Sequence, residues 1–373
     1  MNADADPEGG PDAGPPTAGS EAPGDDLWDA LEAAGDPFGP VVDEAVELAA
    51  AGTPVAIVGA PFGGRERVLA RIADRLDARH ERLSPGADPP ALDGATVVAD
   101  AHHAYRRTVG GFAALDTLLD RVARADAPVV TGWNQHAWSY LLHAREVDEA
   151  FEAVAVPAVG RETMTALVRR WSPSVTFRVQ PREDRGLLGV ERRTRRLPLL
   201  GEREVPVPSL SPDAIGRRGT DADPETAVLR RLTDLADGNP GVARALWVDR
   251  VDETGDDGPA TVAPTDLRTP VERADERARE RDRARRERGT AGAGTPSSAD
   301  DAGLDRKTAF CCRLVLASER LSRAVVRECV DGADRRLDRL ERRGYLTTTD
   351  AMAAMRPGAV PDAVALTDGR LIP

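Results

Sequence analysis

Residues 54–76 read PVAIVGAPFGGRERVLARIADRL, and this stretch decides the fold because its hydrophobic period changes twice. Val55 to Val58 form a short unbroken apolar run, the pattern of a strand buried on both faces. Gly59, Gly63 and Gly64 follow within six residues, too dense in glycine for a strand or a helix interior. From about Arg65 onward, Val68, Leu69, Ile72, Ala73 and Leu76 recur at helical spacing. Strand, glycine loop and amphipathic helix therefore follow one another without a spacer.

Such a junction is built to hold an anion. Glycines let the backbone wrap it, and a helix N-terminus turns N–H groups and the positive end of its dipole toward it. The matching pattern for phosphate is G-x-x-x-x-G-K-[ST]. Here the loop reads GAPFGGRE: Arg65 stands at the lysine position and Glu66 at the Ser/Thr position. Arginine supplies a forked donor that is bulkier than lysine and not equivalent to it. A carboxylate at Glu66 can ligate magnesium, but it also brings negative charge toward phosphates. Downstream, TVVADAHH (96–103) places Asp100 at the end of a second apolar strand, where a carboxylate can hold magnesium. Ala101 follows where many ATPases carry the glutamate that activates water. PVVTGWNQHAW (128–138) ends a third strand with Thr131 and Asn134 as polar sensor candidates, and GNPGVARAL (238–246) offers Arg244 to a γ-phosphate.

Around this stretch, strands and helices alternate. PVAIVG, ATVVAD, APVVTG and FEAVAVP read as strands, with amphipathic helices between them and GRETMTALVRRW after the last. That alternation predicts a parallel sheet covered by helices on both faces. The expected divisions are a disordered acidic tail (1–26), an α/β domain (27–180), an irregular insertion or weak hairpin (181–222), a helical hairpin acting as lid (223–251), a charged flexible linker (252–303) and a C-terminal domain (304–373). The tail carries seven acids, Asp4, Asp6, Glu8, Asp12, Glu21, Asp25 and Asp26, and no base. In the hairpin, Gly238, Asn239 and Pro240 read as helix end, N-cap and first turn.

The 373 residues are 41% hydrophobic, enough for two or three cores. Net charge is −13 and the pI about 5.0, so nucleic acid would need a local basic face. Lys307 is the single lysine. Scarce lysine with abundant Asp, Glu, Ala, Gly and Arg points to a GC-rich, salt-adapted source. No run approaches the roughly 20 apolar residues of a membrane span, and the N-terminus lacks the features of a signal peptide. A cytoplasmic protein without membrane contact is expected. Cys311, Cys312 and Cys329 match neither a disulfide framework nor a zinc pattern and fall at core positions. His102, His103 and His136 lack metal-ligand spacing. Trp133 and Trp138 read as core or lid contacts, Arg169 and Arg170 as a solvated face.

The C-terminal domain reads as three helices (KTAFCCRLVLAS, SRAVVRECV and DGADRRLDRLERRGYL) followed by strands YLTTT and DAVALTDGRLI, a winged helix-turn-helix. Between Leu304 and Thr349 stand eleven bases and seven acids. Arg335, Arg336, Arg339, Arg342 and Arg343 cluster on the third helix, the element that would enter a major groove of double-stranded DNA. Asp334, Asp338 and Glu341 interleave with them and can pair at helical spacing, which favours docking to a protein or self-association as the other role.

With GAPFGGRE, TVVAD and GNPGVA in this order, the chain resembles the AAA+ and STAND ATPases, particularly archaeal members with a P-loop domain, helical lid and C-terminal winged helix. The resemblance spans roughly 30–180, 223–250 and 304–373. It implies that Gly59 to Glu66, including Gly63, Gly64 and Arg65, is Walker A and binds ATP or ADP, that Asp100 is Walker B with magnesium held by Asp100 and Glu66, that Thr131 or Asn134 is sensor one and Arg244 sensor two. Arg65, Glu66 and Ala101 depart from that pattern. The function implied is a nucleotide-binding regulatory switch with weak or no hydrolysis, or else a non-enzymatic winged-helix regulator on a degenerate P-loop scaffold.

Overall fold

Side chains on β1 (Val55–Gly59) alternate between two cores: Val55 and Ile57 enter one, Ala56 and Val58 the other. The same period-2 division runs through β3 (Thr96–Ala99) and β4 (Val129–Asn134), as a strand covered on both faces requires. With β2 (Arg79–Arg82) and β5 (Glu152–Ala155) they form a five-stranded sheet in the order β2-β3-β4-β1-β5, parallel throughout. This is the computed structural model of the chain, and it describes residues 25–171, 175–178, 188–197, 201–210, 223–252, 260–287 and 304–371. The tail expected to be disordered lies outside these residues, apart from Asp25 and Asp26.

Among the described residues, two helices precede the sheet, α1 (Asp25–Ala33) and α2 (Gly39–Ala50). α3 (Arg65–Leu76) follows the glycine loop and buries Val68, Leu69, Ile72 and Ala73 on the α2 side of the sheet. On the opposite face lie α4 (Ala113–Val122) and α5 (Gln135–Arg145). Trp133, on β4 rather than in a helix, packs there against Trp138 and Phe151, with centroids 5.4 and 5.9 Å away. α6 (Arg161–Trp171) leads to the short β6 (Thr176–Phe177), and β7 (Leu188–Leu197) with β8 (Gly201–Leu210) forms an antiparallel ladder in the expected insertion.

The helical hairpin is α7 (Pro224–Ala236) and α8 (Pro240–Asp252). Asn239 caps α8, its Oδ1 accepting from the N–H groups of Gly241 and Val242, both at 3.1 Å. The expected flexible linker contains ordered elements: β9 (Thr261–Val262) pairs with β6, and α9 (Pro270–Glu287) is a helix. Its capping box explains its start, with Glu272 accepting from the Thr269 N–H and Thr269 from that of Glu272.

The last part comprises α10 (Arg306–Ser318), β10 (Arg320–Ser322), α11 (Arg323–Cys329), α12 (Ala333–Arg342), β11 (Leu346–Thr348), β12 (Met352–Met355) and α13 (Val360–Leu371). Its antiparallel sheet runs β10-β12-β11. The second strand is therefore Met352–Met355, and the stretch expected as a strand is helix α13. Pro361 sits in its first turn and Val360, Ala363 and Thr367 are buried at helical spacing. One hydrophobic core runs from α2 and α3 through the α7–α8 hairpin into α10 and α12, so this part packs firmly on the rest. Cys311 and Cys312 are buried in that core. Gly344 follows α12 at φ +82°, where a Cβ would lie 2.4 Å from the Pro270 carbonyl oxygen, so the chain passes hard against α9.

Candidate phosphate site

Asp100, Asn134 and Arg65 stand at the carboxyl ends of β3 and β4 and just beyond that of β1, the edge at which open α/β sheets bind ligands. The loop between Gly59 and Arg65 keeps a wrapped backbone, with Phe62 at φ +62° and Gly64 at φ +100°. Only glycine suits position 64. A Cβ there would lie 2.5 Å from Phe38 Cε2 and 3.1 Å from Trp28 Cζ3. Aromatic rings thus support the loop from one side. Asn239 holds it from the hairpin, donating from Nδ2 to the Pro61 carbonyl at 2.7 Å.

Arg65 does not reach into solvent. It is 3% exposed, and Nη2 donates to Asp100 Oδ1 at 3.0 Å and to Glu319 Oε1 at 2.9 Å. Burial alone would lower its pKa, but the carboxylates of Glu319, Asp100 and Glu66 outweigh burial and raise it. Its Nε and Nη1 are buried without a hydrogen-bond partner. Glu319, between α10 and β10, belongs to no motif and no periodic face of the sequence. Its carboxylate comes from the C-terminal part of the chain and also meets Asn134 Nδ2 at 3.3 Å. Asn134 Nδ2 donates to the Leu316 carbonyl at 3.0 Å as well, while Oδ1 caps α5 by accepting from the His136 N–H. Glu319 adopts φ +58°, ψ −42°, a costly conformation for a residue with a side chain, held by the Met355 N–H on its carbonyl.

Arg82, on the unexpected β2, is the second addition. Its guanidinium bonds Asp100 Oδ2 at 2.8 Å and also pairs with Glu66. Burial pushes the Glu66 carboxyl above its ordinary value, with the Asp100 charge adding to the effect and Arg82 and Arg65 opposing it. Both Asp100 oxygens are thus engaged by guanidinium groups and Glu66 faces Arg82, so the residues expected to hold magnesium do not fit it in this arrangement. What the site leaves open is Arg65 Nε and Nη1, two buried donors beside the glycine loop at the head of α3, and Glu66 Oε1, a buried acceptor, none with a hydrogen-bond partner.

The other expected residues divide. Thr131 lies inside the sheet, its hydroxyl donating to the Val55 carbonyl at 3.2 Å and accepting from Trp133 Nε1 at 2.8 Å, so Asn134 alone of the pair reaches the site. Arg244 is half-buried on α8, five residues beyond Asn239. Ala101 is fully buried. His102 accepts the Asn134 N–H at Nδ1, and burial, with Arg65 and His103 nearby, holds it far below its ordinary pKa. On α12 only Arg335 and Arg342 are exposed. Arg336 bonds both oxygens of Asp305 at 2.7 Å, Arg343 faces Asp275 of α9 at 3.5 Å, and Arg339 is half-buried. The five-arginine face expected to meet DNA is thus reduced, because α9 covers one end of α12 and acids of the chain take its cations. No cluster of metal-ligating side chains occurs among the described residues, and none of their helices is long and apolar enough to cross a membrane.

The parallel sheet and its loop are consistent with a P-loop NTPase-like domain. No protein-family profile matches the chain, and no curated protein does. Distant likenesses exist among solved structures. A RuvB mutant from Thermotoga maritima has TM-score 0.37 at 11% identity, covering 88% of this chain and 93% of its own. A Walker-type ATPase of Pyrococcus abyssi has TM-score 0.36 at 11% identity, covering 88% and 95%.

Proposed function

We propose that the chain is a nucleotide-responsive regulatory protein whose phosphate site is closed by its own C-terminal part. The observation that carries this reading is the Glu319 carboxylate, 2.9 Å from Arg65 and 3.3 Å from Asn134. A carboxylate there presents to the loop cation what a phosphate oxygen would present. ATP or ADP, when bound, supplies phosphate oxygens to the glycine loop and to Arg65, in competition with Glu319. Nucleotide then favours the arrangement in which Glu319 is withdrawn, to the extent of its differential affinity for the two. Turnover has little support: Ala101 cannot activate water, and Asp100 is held by two guanidinium groups. The α7–α8 hairpin is read as the lid, and the segment 304–371 as a winged helix that α10, α11 and α12 build around the sheet β10-β12-β11. Release of Glu319 would loosen the α10–β10 turn of that winged helix, which stays packed on the shared core, for a partner, either a protein or double-stranded DNA met through Arg335 and Arg342.

Hydrogen exchange tests the coupling. Saturating ATP is expected to accelerate exchange at residues 316–322, where Glu319 is fixed; unchanged exchange with ATP demonstrably bound rejects it. A second reading, a non-enzymatic winged-helix regulator on an inert scaffold, is favoured by the packing of Phe38 and Trp28 on Gly64. It expects no nucleotide binding and, for a DNA reader, affinity that falls steeply with salt.

A further inference from the structure

A cleft of about 980 Å³ opens between α5 of the sheet domain and α10 and α13 of the C-terminal part, and its lining includes none of Arg65, Asp100, Asn134 and Glu319. Its size is that of a pocket for a small organic molecule. Tyr140, Phe310, Val330 and Leu371 give it apolar walls, and the cations Arg107, Arg306, Lys307 and Arg313 line it. Arg313 is answered by Asp368 at 3.4 Å and Thr367 at 3.3 Å. Arg107, Arg306 and Lys307 form no ion pair with any described residue, against a single further acid in the lining, Asp331. Arg107 lies over the Tyr140 ring at 3.9 Å and near Phe310 at 5.7 Å, and its Nε is buried without a partner. Burial lowers the pKa of Arg313 against the opposing charge of Asp368, and the nearby Arg107 adds to the lowering.

On a chain of net charge −13, an excess of unpaired cations around apolar and aromatic walls is selective for one class of ligand. We propose that this cleft binds a small amphipathic organic anion, an aromatic ring carrying a carboxylate, sulfonate or phosphate. The ring packs on Phe310 and the apolar wall, and the anionic group meets Arg107, Arg306 and Lys307. Because the walls belong to both parts of the chain, a bound anion ties α5 to α10 and α13. The binding itself does not depend on the phosphate site.

Lys307 provides the assay, since it is the only lysine. Reductive methylation with ¹³C-formaldehyde gives one ε-dimethyl-lysine NMR signal, distinct from that of the α-amine. Titration with 1-anilinonaphthalene-8-sulfonate is expected to shift that signal saturably with one site per chain. Arg306→Glu, at an exposed position, is expected to weaken binding on the order of tenfold. The neutral N-phenyl-1-naphthylamine is expected to bind weakly and without preference between wild type and variant. An unmoved Lys307 signal, equal binding of both probes, or no effect of Arg306→Glu with the variant folded by circular dichroism would each overturn the proposal.

Discussion

Replacing Glu319 by glutamine keeps the side chain's shape and removes its charge. The charge it removes faces Arg65, which is 3% exposed and bonded at 2.9 Å. A hydrogen bond to a charged group contributes about 1.5–3 kcal/mol. Removing the sole partner of a buried charge costs more, about 3–5 kcal/mol. Arg65 keeps Asp100 at 3.0 Å, which places the expected loss in the lower range, about 1.5–3 kcal/mol. Urea unfolding of wild type, Glu319→Gln, Arg65→Met and the double variant gives the pairwise coupling directly. A coupling above about 1 kcal/mol is expected from a pair in direct contact. A coupling below about 0.5 kcal/mol, the scatter of independent sites, would refute the view that Glu319 and Arg65 act on each other. Glu319→Gly separates the backbone contribution, since it relieves a φ of +58° worth roughly 1–3 kcal/mol while losing the same ion pair.

Gly64→Ala is expected to destabilise by at least about 1–3 kcal/mol, from φ +100° and the contact with Phe38; a neutral effect in thermal unfolding would show that the loop is not built as described. Asp305 caps α10, and although burial acts to raise its pKa, hydrogen bonds from Thr308 and Arg336 hold it down to about 2. Its folded pKa lies below the unfolded value of roughly 3.9, so its stabilisation is present above that pH and is lost as pH falls toward 2. The stability difference between wild type and Asp305→Asn should shrink across that window and stay constant above it. His136 runs the other way: burial, with Arg313 adding, lowers it to about 3, so between roughly pH 6.5 and 3 the unfolded chain binds a proton that the folded chain refuses. Stability should fall with acid there, and less steeply in a folded His136→Gln variant. If the winged helix meets double-stranded DNA, Arg335→Glu with Arg342→Glu should abolish gel retardation, whereas Arg336→Ala should act first on stability through Asp305.

Local signals carried the sheet domain. The apolar runs at 55–58, 96–99 and 129–133 are strands because both faces are covered, and Asn239 caps α8 because its neighbours leave no other role. β2 was illegible: Arg-His-Glu-Arg has no apolar residue, since it pairs at the sheet edge through its backbone and is largely exposed. DAVALTDGRLI alternates enough to read as a strand, and only packing against α10 makes it α13. α9 has almost no apolar face, so its order comes from its capping box and its contacts with the end of α12. At the candidate site, Gly64, Arg65, Asp100 and Asn134 announce themselves by spacing, but Glu319 lies 254 residues from Arg65, and no periodicity links them. Arg82 lies on β2 and is as hard to read from the sequence as that strand. The arginines of α12 counted as a basic face because their acidic partners Asp305 and Asp275 lie on other elements.

The most direct test is a calorimetric titration of ATP and of ADP, without and with magnesium, into wild type and Glu319→Gln. With Glu319 as a competitor worth about 1.5–3 kcal/mol, its removal should tighten nucleotide binding by roughly ten- to a hundredfold, with little dependence on magnesium. Equal affinity in the two proteins, or no binding by either while both remain folded, would contradict the claim that this carboxylate closes a working phosphate site.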